Sequence, residues 1–494
     1  MSNTATSEKH GLLPTLGLMT TVSIVVGAVI GSGVFKKSAP MAQQLGSPEL
    51  LIGVWALAGL LTLFGALTNA EVAGMISATG GQYIFFKEMY GKFTAFIYGW
   101  AMFSVVQSGS IASITYIFSL SADGTFFDLM HLSPTWEAWA IHLPFIGNIF
   151  PFADFGVKLL TVAIILLLSL INYRGVALGG VVQVVFTALK IIALAIIVFL
   201  AFTMGGGNVA NFVQDSTLIA PSGLGMLSAI VAALTGAFWA YDGWNSITYI
   251  AGEVKDPQRT IPRSLFIGMM VIISTYIIVN LAYIYIMPID AMAASGYLAK
   301  DVANLMFMHI NPTLVKIGVG FIMASIMIST FGTSNSTILA SARLYFAMSR
   351  ERMFFQSLGK IHPRYRTPGS ALLIQAIWSS VLVFSGTFDT LTDMLIFVSW
   401  AFYAMGAYGV FILRKKMPDV PRPYKVWGYP YVPAIFVIFA TVFVIITVIT
   451  DIQNYSNDKT PIINSAFGTL LVAIGIPFYI YFEKKKSSTP DVIE

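Results

Sequence analysis

The chain contains no cysteine. That excludes disulfides, thiolate metal sites and thiol catalysis. Histidine is nearly as scarce: His10, His131, His142, His309 and His362 all fall in stretches read as connections. None has metal-ligand spacing, so neither a metal nor a metal cofactor is expected. Charge is the third shortage. Only 10% of the 494 residues are Asp, Glu, Lys or Arg, against about 25% in soluble domains. Catalytic signatures are missing too. There is no HExxH, no GxSxG and no phosphate-binding Walker sequence, and Tyr241-Asp242 lacks the second aspartate that an intramembrane aspartyl protease needs. No repeated filter loop marks a channel. An enzyme is therefore not expected.

What is present in excess is apolar sequence, at 56% of residues with a mean hydropathy of +0.78. Runs of about 20 apolar residues are the unit of a spanning helix. Twelve occur, at 15–43, 48–75, 92–120, 155–172, 178–204, 225–251, 264–287, 313–340, 369–386, 391–413, 430–450 and 461–482. The fold class is an all-α polytopic membrane protein. The first run is too long for the core of a cleavable signal, so no signal peptide is expected after the polar residues 1–11. Of the 28 Lys and Arg residues, 21 fall on the N-terminal side of the membrane and four (Lys158, Lys300, Lys316, Lys459) on the other. This bias places both termini in the cytoplasm. It also accounts for the net charge of +5 without any nucleic-acid partner. Lys36, Lys37 and Lys190 remain inside apolar runs.

The first run carries Gly27-Ala28-Val29-Ile30-Gly31-Ser32-Gly33-Val34-Phe35 near its middle. Each glycine makes a continuous helix locally costly. Gly27 and Gly31 also fit the GxxxG pattern of packed membrane helices. A break here would free backbone groups at membrane depth, which is tolerated only where they are buried in protein or line a cavity. The sixth run holds a second interruption, Phe238-Trp239-Ala240-Tyr241-Asp242-Gly243-Trp244-Asn245. Five helices is an odd number, so the two sets would insert with opposite topology. Paired interruptions of this kind point to a substrate site near the midplane. The facing half-helix ends attract an anion on one side and a cation on the other, which suits a zwitterion.

These residues resemble the amino acid–polyamine–organocation superfamily. Gly27 to Phe35 is similar to its first-helix signature. Trp239 to Asn245, with Glu253 and Arg259-Thr260-Ile261-Pro262-Arg263, is similar to its L-type amino acid transporter branch. Ala70-Glu71, Gly80-Gly81-Gln82-Tyr83, Asn172-Tyr173-Arg174-Gly175-Val176, Ser341-Ala342-Arg343 and Arg350-Glu351 support the likeness, which spans about residues 11–425. It implies a LeuT-type inverted repeat: a cytoplasmic tail at 1–11, helices 1–5 at 12–204, helices 6–10 at 205–415, helices 11–12 at 416–482, and a second cytoplasmic tail at 483–494. It further implies that the amides of Gly31, Ser32 and Gly33 hold a substrate carboxylate, and carbonyls near Val29, Trp239 and Asp242 its amino group. Ile30, Ala240, Trp244 and Asn245 belong to the same binding stretches. Trp239 would gate the site, and its indole, where phenylalanine is common, implies small side chains. The Asp242 carboxylate is read as a cap bonded to local amides.

Lys190 sits about 12 residues from either end of its run, some 18 Å of helix at about 1.5 Å per residue. It cannot snorkel out and must find partners inside the bundle. Carbonyls of the broken first helix near Gly27 and hydroxyls of Ser329, Thr330, Thr333 and Ser334 are the expected acceptors. In the resembling family a lysine here occupies the place of a sodium ion, which implies sodium-independent transport. Lys36 and Lys37 are read as a solvated outer vestibule, and Glu71 and Glu253 as gate or loop-packing partners. The resemblance implies exchange of small neutral L-amino acids, such as alanine, serine or threonine, across the plasma membrane. Proton-coupled symport through Lys190 is the alternative. Animal L-type members join a glycoprotein through a cysteine; a cysteine-free chain resembles the bacterial members (serine/threonine or alanine/serine type) and is expected to have no disulfide-linked heavy subunit.

Overall fold

Helix boundaries follow local chemistry in a computed structural model that describes residues 16–76, 80–174, 176–204, 206–213, 216–217, 223–365 and 367–487. The expected tail at 1–11, most of the second tail, Lys9, Gly175 and Arg366 lie outside the described residues. The first apolar run is split into α1 (Leu18–Val29), α2 (Gly33–Lys36) and α3 (Ser38–Leu45), the last ended by Gly46 at φ +60°. Helix α4 (Pro48–Met75) begins at once. Ser47 Oγ accepts from the Leu50 amide, Pro48 opens the first turn and Glu49 lies within it, all of which favour a helix start. Next come α5 (Gln82–Tyr90) and α6 (Lys92–Ala101), a π-turn at Met102–Val106, and α7 (Gln107–Ala122). After α8 (Pro134–Glu137), an antiparallel strand pair, β1 (Ile141–Leu143) and β2 (Gly147–Ile149), precedes α9 (Phe155–Arg174) and α10 (Val176–Met204).

The second half starts with α11 (Leu224–Tyr241), interrupted before α12 (Ser246–Tyr249), then α13 (Pro257–Ile286). Two short helices, α14 (Ile289–Ala293) and α15 (Leu298–Ile310), lead to α16 (Val315–Arg350), α17 (Gly369–Ser385) and α18 (Phe388–Lys416). The chain closes with α19 (Tyr431–Ser456), α20 (Asn464–Ala473) and α21 (Gly475–Ser487). Each of the twelve apolar runs is helical. Among the described residues, ten helices are long and apolar enough to cross a membrane, and two apolar helices, Gly225–Tyr241 and Gly369–Ser385, are shorter. The first of these is short because it stops at the interruption.

Some elements depart from the sequence reading. Helices α5, α14 and α15 fill stretches that hydropathy leaves as connections, because their apolar faces pack on the bundle without spanning it. His309 lies in α15 and His142 in β1 rather than in connections. The strand pair is a small β element in an otherwise helical chain.

Packing centres on the broken helices. Helix α1 lies against α13, α10 and α16, while α11 lies against α3, α4 and α18. At one end of the bundle Glu71, 1% exposed, ties α4 to α18. Arg414 grips its two oxygens at 2.9 and 2.7 Å, and the Val426 amide donates to it at 2.8 Å. Glu71 is thus a packing partner for the connection after α18. Glu253 does similar work with Arg343, 3.4 Å away, so part of the basic run 343–366 is structural. Removing Glu71 would leave the Arg414 guanidinium and the Val426 amide without this acceptor, at a cost of about 3 kcal/mol. We expect Glu71→Ala to lower the melting temperature of detergent-purified protein by several degrees and Glu71→Gln by less; equal stability of all three would refute the tie.

Candidate functional site

Helix α1 stops at Val29, and Ile30 takes extended backbone at φ −71°, ψ 91°. Helix α11 stops at Tyr241, where Asp242 is extended and Gly243 adopts φ +102°, a conformation reserved for glycine. The two interruptions touch. A Cβ on Gly33 would overlap the backbone and Cβ of Ala240, and one on Gly243 would come within 3.0 Å of Ala28 O. Tyr276 from α13 bridges both breaks, its hydroxyl lying 3.0 Å from Val29 O and 2.8 Å from Ala240 O. One phenol thus offers its single proton between a freed carbonyl on each broken helix.

A small polar cavity lies at this junction. Of the residues singled out in sequence, Val29, Gly31, Ser32, Gly33, Trp239, Asp242 and Thr333 line it. The first amides of a helix have no acceptor within it, and those of α2 begin here. Two buried side-chain donors of this lining have no partner among the described residues: Ser32 Oγ and Trp239 Nε1, on residues 1% and 5% exposed. A buried polar group without a partner costs about 1–3 kcal/mol. Each donor is positioned to hydrogen-bond an acceptor placed in the cavity. Trp239 also meets Phe388 edge to face, with centroids 6.0 Å apart.

The remaining sequence-derived residues lie outside the lining. Trp244 packs on Tyr403 at 5.3 Å. Asn245 donates to Gln82 Oε1 of α5 at 3.1 Å, in a network with Tyr98 and Tyr249. Ala240 is the floor under Gly33. Asp242 is not capped by local amides alone, because Tyr403 of α18 donates to its Oδ1 at 2.6 Å.

Gly27 and Ile30 point their carbonyls at Lys190. Its Nζ donates to Gly27 O at 3.0 Å, Ile30 O at 2.6 Å and Thr333 Oγ1 at 2.8 Å. Ser329 Oγ donates to Ile30 O at 3.3 Å. Of the four hydroxyls expected near the lysine, Thr330 instead bonds its own helix and Ser334 bonds Thr115. Lys190 is 1% exposed, and its ammonium takes up the carbonyls that the break of α1 sets free.

Lys37 requires a correction. It does not lie on a solvated vestibule: it is 3% exposed, with Nζ 2.6 Å from Asp389 Oδ1, 2.9 Å from Thr392 Oγ1 and 3.7 Å from Asp393 Oδ1. The carboxylates of the first turns of α18 compensate the buried ammonium. Lys36 is partly buried and donates to Gly296 O at 2.6 Å.

Sequence reasoning missed Gln107, Ser110 and Ile114 of α7, and Ser246 and Thr337, which complete the lining. A signal existed. The span Lys92–Ala122 is the least apolar of the ten yet the most buried, and Gln107, Ser108, Ser110, Ser113 and Thr115 crowd it with polar groups that had to face protein.

Comparison with known proteins accords with this geometry. The amino acid permease family model matches residues 16–474. The serine/threonine exchanger SteT of Bacillus subtilis (strain 168) is 29% identical over 486 residues, covering 98% of this chain and all of that protein. The human b(0,+)-type amino acid transporter 1 is 30% identical over 94% of this chain and 87% of its own length. The large neutral amino acids transporter small subunit 2 of Oryctolagus cuniculus is 29% identical over 97% and 83%. The chain belongs to the amino acid permease family, within the amino acid–polyamine–organocation superfamily, a group of polytopic membrane transporters.

Proposed function

We propose that the protein exchanges small neutral L-amino acids, serine, threonine or alanine, across the plasma membrane by alternating access, without sodium. The observation that carries this reading is the cavity at the two touching helix breaks, with Ser32 Oγ and Trp239 Nε1 unpaired inside it. The substrate carboxylate takes the amides at Gly31–Gly33 and the Ser32 hydroxyl, at the positive end of α2 and α3. The ammonium lies toward the carbonyl ends of α1 and α11. Tyr276 already occupies Val29 O, so the Trp239 and Asp242 side of the break supplies more of that contact. Trp239 closes over the substrate and limits its side chain. The name of the exchanger from Bacillus subtilis supports both the mechanism and the substrate size.

The same reading takes the chain as twelve spans. Helices α1–α10 and α11–α18 form inverted halves of five spans each, α19–α21 lie outside them, and both termini are cytoplasmic. Some relatives are named as subunits; without cysteine this chain works with no disulfide-linked partner. Lys190 replaces a sodium ion, holding Gly27 and Ile30 with its own ammonium. One observation favours proton-coupled symport as the second reading. Among the described residues no carboxylate is a Lys190 partner, so deprotonation would leave no buried anion among them.

In proteoliposomes, labelled serine uptake is expected to require unlabelled amino acid inside and to ignore imposed sodium and proton gradients. Uptake into empty vesicles driven by a proton gradient would replace exchange by symport. Trp239→Ala should raise inhibition of serine uptake by leucine about tenfold relative to wild type, the scale of a few methylenes in a pocket; unchanged selectivity would remove Trp239 from the site. Lys190→Met removes the ammonium from two carbonyls that then keep only the Thr333 and Ser329 hydroxyls, and should lower exchange at least tenfold. Full activity of that variant would refute the cage.

A further inference from the structure

A second cavity lies away from the helix breaks, between α9, α17 and the connection 351–368. It measures about 710 Å³, within the range of about 300–1,000 Å³ for sites that hold sizeable ligands. Its two ends differ. Leu166, Leu170, Leu372 and Leu373 make an apolar slot. Leu170 and Leu373 are 50% and 60% exposed, so the slot opens on the side of the bundle that faces lipid. Lys360 and His362 form the rim, where the helices end. The floor is tight: Thr367 Oγ1 donates to Tyr173 O at 2.8 Å, and a Cβ on Gly369 would strike the Tyr173 ring.

The rim carries donors with no acceptor. Lys360 is exposed and makes no hydrogen bond or ion pair among the described residues. His362 Nδ1 accepts from the amides of Arg364 at 3.3 Å and Tyr365 at 3.2 Å. That fixes the tautomer and leaves Nε2 as the ring's donor. Arg174, exposed in the last turn of α9, adds positive charge at the same end. Inside the slot, Ser169 is 7% exposed and its Oγ has no partner among the described residues, although it lines the cavity. An apolar channel open to the bilayer, a cationic rim at helix-end depth and one buried hydroxyl between them match one ligand chemistry. Basic pockets between spanning helices recognise anionic headgroups.

We propose that this cavity binds an anionic phospholipid. One acyl chain lies in the leucine slot, the phosphate meets Lys360 and His362, and Ser169 offers its hydroxyl to the ester region. Bound there, the lipid joins the α16–α17 connection to α9. The cation asymmetry of the chain makes this the cytoplasmic leaflet. The inference needs only that the chain spans a membrane, not that it exchanges amino acids.

The test uses purified full-length protein in detergent, with the melting temperature and the number of retained lipids, counted by native mass spectrometry, as readouts. Phosphatidylglycerol is expected to stabilise and to be retained, and phosphatidylcholine and inorganic phosphate are expected to do neither. Lys360→Glu should weaken apparent phosphatidylglycerol affinity about fivefold or more, the scale of one surface cation. Leu373→Trp, which fills the slot and leaves the rim intact, should abolish retention. Both variants should keep the wild-type melting temperature without lipid; if one does not fold, the other still decides. Equal stabilisation by phosphatidylcholine, stabilisation by inorganic phosphate alone, retention unchanged in the variants, or a dimer in place of bound lipid would each overturn the proposal.

Discussion

A peptide group at membrane depth must be hydrogen-bonded, and the breaks in α1 and α11 create several that no helix can satisfy. The surrounding bundle is arranged to meet that debt of bonds. Lys190 from α10 and Thr333 from α16 take the carbonyls of Gly27 and Ile30. Tyr276 from α13 takes those of Val29 and Ala240. Three helices are thereby fixed around two short gaps, and each gap needs glycine because the chains approach too closely for a Cβ. What remains unsatisfied, Ser32 Oγ and Trp239 Nε1, lies in the space left between them. The site is the part of the constraint that the protein itself leaves open.

Buried charges elsewhere follow the same rule with different partners. Lys37 meets two carboxylates of α18, and Glu71 meets Arg414 and the Val426 amide. Both pairs join N-terminal helices to α18, one near each end of that helix. Lys190 differs from them because its partners are neutral oxygens. An ammonium among carbonyls and a hydroxyl is an ion site in which the ion is part of the chain, consistent with the sodium-independent cycle proposed here.

The central cavity is small and polar, whereas the one between α9 and α17 is large and mostly apolar. The two are chemically distinct.

The sequence by itself determined the membrane class, the two interruptions and the place of each of the twelve apolar runs as helix, although α13 starts before its run at Pro257 and α16 continues past its run to Arg350, because hydropathy and glycine act locally along the chain. It also determined that Lys190 needed interior oxygens, since the distance to either helix end is fixed by the helix rise. Only the tertiary structure decided which oxygens those were. It also turned Asn245 and Trp244 away from the cavity and brought in Gln107, Ser110 and Thr337. Lys37 shows why. Next to Lys36 it reads as a solvated charge at the outer end of its run, and only the arrival of α18, more than 350 residues later, supplies the carboxylates that bury it. Helix formation is settled by neighbours in sequence, whereas the fate of a polar side chain is settled by neighbours in space.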